Sequence, residues 1–155
     1  MEPTVFVLQG VPGSGKSYLA KSYVSQFAGV KVEVVSADDF FVELGGGTYK
    51  FDKTKLEDAH GYCFRRFIAA VQTKAASIVI VDNTNTTPVD VSPYMLGASA
   101  FGYKAEILRV ECDVKTAAAR NTHNVPFKKV EEMAARIKSF KGLPRWKLRI
   151  LSKGD

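Results

Sequence analysis

The sequence predicts an α/β fold in which a mostly parallel central sheet lies between layers of helices. Two observations carry that reading. Short apolar, strand-like runs alternate along the chain with segments of helical period, the pattern of βαβ units. A glycine-rich turn also joins the first such strand directly to the first helix. With 155 residues, 46% of them hydrophobic, the chain has material for one core. It is read as a single domain over residues 1–155 with a basic tail from about residue 141.

The elements follow in order. Val5-Phe6-Val7-Leu8 opens strand one, residues 5–9, an apolar run suited to burial on both faces. Helix one spans 16–27, with Leu19, Tyr23 and Val24 at helical spacing and Gly29 ending it. Residues 30–35 alternate apolar and polar side chains and form strand two, which runs into Ser36-Ala37-Asp38-Asp39-Phe40-Phe41. Gly45-Gly46-Gly47-Thr48 is a flexible loop. A long helix follows over about 53–74, with Leu56, Ala59, Cys63, Phe67, Ala70 and Val71 on one face.

Residues 77–82 are the most apolar strand and are expected at the sheet centre. A helix over about 90–101, interrupted near Pro93, leads to strand four at 104–111. Helices at 114–120 and 126–140 come next, and Gly142-Leu143-Pro144 breaks the pattern before the tail. No internal repeat or low-complexity segment is present.

Composition excludes some roles. No apolar run approaches the ~20 residues needed to cross a bilayer, and the amino terminus lacks the charged and apolar regions of a signal peptide. Cys63 and Cys112 stand far apart without metal-ligand spacing, as thiols in a reducing compartment. The expectation is a cytoplasmic protein with no membrane partner. Nine lysines and arginines against three acids place the whole net charge of +6 in the last thirty residues. That asymmetry fits either a polyanionic partner or a solvated helix face with a basic tail.

Gly10-Val11-Pro12-Gly13-Ser14-Gly15-Lys16-Ser17 is a phosphate-binding P-loop between a strand and a helix. Gly10, Pro12, Gly13, Ser14 and Gly15 shape a turn whose backbone N–H groups close on phosphate oxygens, helped by the positive end of the helix. Lys16 is expected to reach the β- and γ-phosphates of ATP and Ser17 to take a place on Mg²⁺. Three strands of a parallel sheet would then end at one crevice: strand one in this loop, strand two in Asp38-Asp39 and strand three in Asp82-Asn83.

Phosphoryl transfer requires a cradle for the donor, a metal ligand and a carboxylate for the acceptor hydroxyl. Asp38 is read as the base, with Asp39 supporting the loop or capping the next turn; both fit plain turn residues as well. Asp82 fits a magnesium ligand or a group that orients the acceptor, with Asn83 and Asn85 as amides for phosphate or sugar. Arg120 stands at the root of a polar loop between two helices, the position of a lid arginine. His60 reads as a packing or capping residue. Trp146, among Arg145, Lys147 and Arg149, suits either base stacking or an anchor to the core.

On the P-loop, Ser36-Ala37-Asp38-Asp39-Phe40, Tyr49-Lys50-Phe51-Asp52 with Ala59-His60, Val81-Asp82-Asn83-Thr84-Asn85, and Arg120-Asn121, the chain resembles the P-loop kinases of the polynucleotide-kinase-like family. That family includes the 5′-kinase domain of phage polynucleotide kinase and small stand-alone phage DNA kinases. The resemblance runs to about residue 140. It implies a nucleotide-kinase-like P-loop NTPase fold, a three-layer sandwich with a short helical lid, and transfer of the ATP γ-phosphate to a hydroxyl of a polynucleotide. It gives Asp38 the role of general base, Lys16 and Ser17 those of ATP and Mg²⁺ ligands, and Arg120 a place in the lid.

This chain departs from the family where an arginine that holds the acceptor phosphate is replaced by Phe41. Its lid is also shorter, with His123 or Lys128 in place of a second arginine. Phe41 is therefore expected to stack on a base or sugar of the acceptor. A polynucleotide 5′-hydroxyl is the leading acceptor, DNA ahead of RNA. A 5-hydroxymethyl-pyrimidine within DNA, as in phage DNA modification, and a small sugar, nucleoside or antibiotic are the alternatives.

Overall fold

A computed structural model describes residues 2–151. Five strands form one sheet, β1 (Thr4–Gln9), β2 (Val32–Val35), β3 (Ile78–Asp82), β4 (Lys104–Val110) and β5 (Lys147–Leu151), in the spatial order β2-β3-β1-β4-β5. All four pairings are parallel. The helices are α1 (Lys16–Gln26), α2 (Asp38–Leu44), α3 (Leu56–Thr73), α4 (Pro88–Ala100), α5 (Val114–Arg120) and α6 (Phe127–Lys138), with a 3-10 turn at Lys53–Lys55.

Period-two alternation sends successive strand residues to opposite faces. Val5, Val7, Val79, Val81, Val35 and Ile107 point to one side and meet Cys63, Phe67 and Val71 of α3 and Val91, Tyr94 and Ala98 of α4. Phe6, Leu8, Ile78, Ile80 and Leu108 point to the other and meet Leu19, Ala20 and Tyr23 of α1. A smaller cluster of Val11, Ala117, Val130 and Ile137 joins α5 and α6 above the loop that follows β1. Among the described residues, no helix is long and apolar enough to cross a membrane.

Four expectations are corrected. The most apolar strand, β3, is interior, but β1 holds the middle place; apolarity reports burial on both faces, which both strands share. Helix α4 starts at Pro88 and runs through Pro93 without a break. Its start is earlier because Thr87 caps it, accepting from the Asp90 backbone N–H, and Pro88 suits the first helical position.

The segment after β2 is a seven-residue helix, α2, begun by the aspartate pair. Ser36 Oγ accepts from the Asp38 backbone N–H at 3.2 Å. The spacing Ser36-x-x-Asp39 before an apolar run was the available signal for that start.

The basic tail contributes β5, paired with β4 through residues 106–110. Trp146 anchors it, packing with Phe140 and Leu148 against the α3–α4 face. A Cβ on Gly142 would lie 2.7 Å from the Trp146 ring, so the indole packs where only a glycine leaves room. Lys153, counted in the tail's charge, lies outside the described residues.

Candidate active site

The parallel sheet brings the carboxyl ends of β2, β3 and β1 side by side, and each delivers one part of the site. Beyond β1 the P-loop turns through Gly13 (φ 82°) and Gly15 (φ 104°), both in the left-handed region that side chains disfavour. A Cβ on Gly13 would stand 2.0 Å from the Ala117 carbonyl oxygen of α5. The loop is therefore packed directly on the first helix of the lid.

Ser14 Oγ is buried with no hydrogen-bond partner. Lys16 is buried too, and its Nζ donates to the Val11 carbonyl at 2.9 Å. Burial lowers the Lys16 pKa, opposed by the charges of Asp82 and then Asp38. A buried ammonium satisfied by a loop carbonyl, beside an orphaned hydroxyl, fits a site that an anion completes.

Beyond β3, the Asp82 carboxylate accepts from Ser17 Oγ at 3.0 Å. Burial raises the Asp82 pKa, and Lys16 and the Ser17 hydrogen bond pull it down. A hydroxyl and a carboxylate in contact form a hard-oxygen pair of the kind Mg²⁺ takes, so these two residues fit that ion.

Beyond β2, Asp38 stands in the first turn of α2. Its side chain is 53% exposed, so an acceptor can reach it. The surrounding chain raises its pKa, while His123, then Lys16 and more weakly His60, lower it. Asp39 instead turns to α3 and accepts from Arg66 Nη1 at 2.8 Å, the same guanidinium reaching Glu33 at 3.2 Å. Of the two adjacent carboxylates, Asp38 is the one whose charge acts on Lys16, and Asp39 ties α2 to α3 and β2.

Three residues expected at the acceptor do structural work. Phe41 is 1% exposed and packs edge-on against Tyr49 and Phe40. A helix begun at Asp38 turns the residue three positions on into the core, where it has no free face for a base.

Asn85 is buried with φ 50°. Its side-chain Nδ2 donates to the Leu8 carbonyl at 2.7 Å, and its backbone carbonyl accepts from Gln9 Nε2 at 2.9 Å. Asn83 Oδ1 accepts from the Ala37 backbone N–H at 2.9 Å and its Nδ2 contacts Cys63 Sγ. These residues bind the strand ends together: Asn85 fixes the exit of β1, and Asn83 fixes the turn that leads into α2 and Asp38.

The lid consists of α5, the loop 121–126 and α6. Asp113 caps α5, accepting from the Thr116 backbone N–H. Arg120 ends it, with Nη2 3.2 Å from Cys112 Sγ. Arg120 lines a cleft of about 1120 Å³ together with Ser14, Gly15, Tyr18, Arg109 and Lys138.

Sequence reasoning missed this cleft, which extends from the P-loop toward β4, β5 and α6. Tyr18, 81% exposed beside the P-loop, was its visible signal. Tyr49 stacks on His123 with ring centroids 3.9 Å apart, a role its motif alone does not signal.

A family model for the AAA domain matches residues 5–140. The chain belongs to the AAA domain family. This AAA domain is 34% identical over 145 residues to human NEDD4-binding protein 2, an alignment covering 89% of the chain and 8% of that protein.

Among solved structures it is similar to a chain of the Pnkp1/Rnl/Hen1 RNA repair complex, with a TM-score of 0.70 and 19% identity. That match covers 88% of this chain and 44% of the other. It is also similar to a gluconokinase from Sinorhizobium meliloti 1021, with a TM-score of 0.60, 14% identity, and coverage of 99% and 84%. The AAA domain thus has the α/β fold of P-loop kinases, in keeping with the polynucleotide-kinase-like resemblance read from its motifs.

Proposed function

We propose that this domain is an ATP-dependent phosphotransferase that moves the γ-phosphate to a polynucleotide 5′-hydroxyl. One observation carries the reading. The P-loop with Lys16, the Ser17–Asp82 pair and the accessible Asp38 stand at the ends of three neighbouring strands, and the charges of both carboxylates act on the same buried lysine.

In this reading the P-loop amides and Ser14 Oγ bind the β- and γ-phosphates, and Lys16 neutralises them. Ser17 and Asp82 would hold Mg²⁺, which would supply charge neutralisation at the phosphates. Asp38 accepts the proton of the acceptor hydroxyl as that oxygen bonds to the γ-phosphorus. The bond from phosphorus to the bridging oxygen breaks, ADP leaves, and Arg120 offsets charge on the transferred group. General base action of this kind contributes roughly a hundredfold to ten-thousandfold to rate.

The similarity to a chain of an RNA repair complex supports a nucleic-acid acceptor. The hydroxymethyl-pyrimidine alternative leaned on Phe41 as a stacking platform and loses that support with Phe41 in the core. The small-molecule alternative is represented by the gluconokinase fold similarity. The basic tail takes no part in this reading, because β5 lies at the sheet edge opposite β2 and Asp38.

The test is transfer from γ-labelled ATP with Mg²⁺ to a panel of 5′-hydroxyl DNA, 5′-hydroxyl RNA, end-blocked hydroxymethyluracil DNA, nucleosides and gluconate. The expected result is label on the 5′-hydroxyl oligonucleotides. Label on a free sugar or nucleoside with equal efficiency would overturn it.

A further inference from the structure

We propose that His123 is a positioning residue for Asp38, and that Tyr49 seats it there, so that docking of the lid loop and readiness of the base are one event. The inference rests on Asp38 being the base, as argued above.

The two histidines of this chain are His60 and His123, and His123 belongs to the lid loop that follows Arg120. That loop crosses from the nucleotide side of the sheet to the acceptor side, where His123 Nδ1 lies 3.7 Å from Asp38 Oδ2. The imidazole lies nearly parallel to the Tyr49 ring, at 20° and 3.9 Å. Tyr49 in turn packs edge-on against buried Phe41. The stack Phe41–Tyr49–His123 therefore runs from the core to the Asp38 carboxylate.

The loop is shaped to present the imidazole. Asn121 Oδ1 accepts from the His123 backbone N–H at 3.0 Å, Asn121 Nδ2 donates to the Val125 carbonyl at 2.7 Å, and Asn124 adopts φ 56°. Such local closure reduces the conformational freedom that would blur the geometry at Asp38.

At 3.7 Å the imidazole is within ion-pair reach of one carboxylate oxygen, beyond hydrogen-bond distance, so it biases the rotation of Asp38 and leaves Oδ1 for the acceptor hydroxyl. Its positive form also favours the ionised carboxylate that a base requires. The charged and titratable groups around Asp38 are Lys16 from the P-loop end of α1, Asp39 from α2, His60 from α3, Tyr49 from the loop after α2, and His123 from the lid. Asp82 of β3 senses the same charge. Burial, and then the Asp38 charge, push the Tyr49 hydroxyl up to about 12, so Tyr49 stays neutral in its stack.

The test compares His123→Ala, His123→Gln and Tyr49→Leu with the parent protein in steady-state transfer to a 5′-hydroxyl oligonucleotide, with kcat/KM measured against pH. Asp38→Asn is assayed alongside. His123→Ala is expected to lower kcat by about tenfold with KM for ATP unchanged, and to move the acid limb of the profile to higher pH. His123→Gln, which keeps an N–H for the carboxylate but carries no charge, should recover kcat while leaving the acid limb displaced. Tyr49→Leu should reproduce the loss of kcat with His123 intact.

A parental kcat and an unmoved acid limb in both His123 variants, with Asp38→Asn inactive, would overturn this inference and leave the reading of Asp38 standing. Full activity of Asp38→Asn would overturn that reading instead.

Discussion

Ser17 Oγ donates to Asp82 Oδ2 across 3.0 Å, joining the first turn of α1 to the end of β3 over 65 positions of sequence. The register explains the contact: Leu8 of β1 lies opposite Asp82, so the chain leaving β1 passes directly over that carboxylate. Asp82→Asn keeps the hydrogen-bond acceptor and removes the charge. Its expected effect is a loss of turnover of at least about a hundredfold, together with a higher Mg²⁺ concentration for half-maximal rate. A magnesium titration of both proteins checks it, and an unchanged titration curve would remove Asp82 from the metal site.

Asp38 and Asp39 should separate cleanly. Asp38→Asn is expected to lower kcat by about a hundredfold or more while ATP binding by calorimetry stays near parental. Asp39→Asn breaks a partly exposed pair with Arg66 and should cost on the order of 1 kcal/mol of stability with little loss of rate. The reverse ranking would give the base role to Asp39.

The pH profile of kcat/KM follows from two displaced groups of the free enzyme. Asp38 must be ionised to accept a proton, and its pKa is raised above 3.8. Activity should therefore disappear on the acid side at a higher pH than for an ordinary aspartate. Lys16 must be charged, and burial lowers it below 10.5, so the alkaline limb should fall earlier than for a free lysine. A rate profile between pH 4 and 10 tests both signs. An acid limb at or below the ordinary aspartate value would contradict the first.

Phe41 is a core residue, and its variants should behave so. Phe41→Ala is expected to cost about 3–5 kcal/mol of stability, read by denaturant unfolding. Phe41→Leu, which keeps most of the volume, should retain the parental KM for the acceptor. A selective rise in that KM with unchanged stability would restore the stacking role first read for it.

The tail's charge is tied to the sheet edge. Glu106, only 12% exposed at its side chain, lies 3.0 Å from Arg149 Nε and 3.8 Å from Lys147 Nζ. Reversing both basic residues to glutamate should lower stability by at least on the order of 1 kcal/mol and leave KM for the oligonucleotide unchanged. The comparison is a melting curve beside a KM measurement at two salt concentrations. A large, salt-dependent rise in KM would return the tail to the acceptor surface.

Local patterns in the chain set the fold class and the strand ends at which the candidate site is built. Gly13, Gly15, Lys16 and Ser17 do so locally, because a strand, a left-handed glycine turn and a helix start are properties of adjacent residues. The apolar runs of β1 and β3 likewise announced burial on both faces through composition alone. What a side chain does at the end of its strand was decided by tertiary structure. Phe41 reads as an exposed aromatic after two aspartates until α2 turns it inward. Asn83 and Asn85 read as ligands until β1, β2 and β3 are aligned, when the Asn85 amide is taken by the Leu8 carbonyl of β1 and the Asn83 amide by the Ala37 backbone N–H and the Cys63 thiol.

The nine basic residues of the last thirty positions read as one patch. Strand order then puts β5 across the sheet from Asp38, and Glu106 pairs with two of them. The meeting of His123 with Tyr49 and Asp38 joins the lid loop to the start of α2 and the loop after it, which are far from it in sequence. Contacts of that separation are set by strand order and by the length of the lid, and neither is encoded in local pattern.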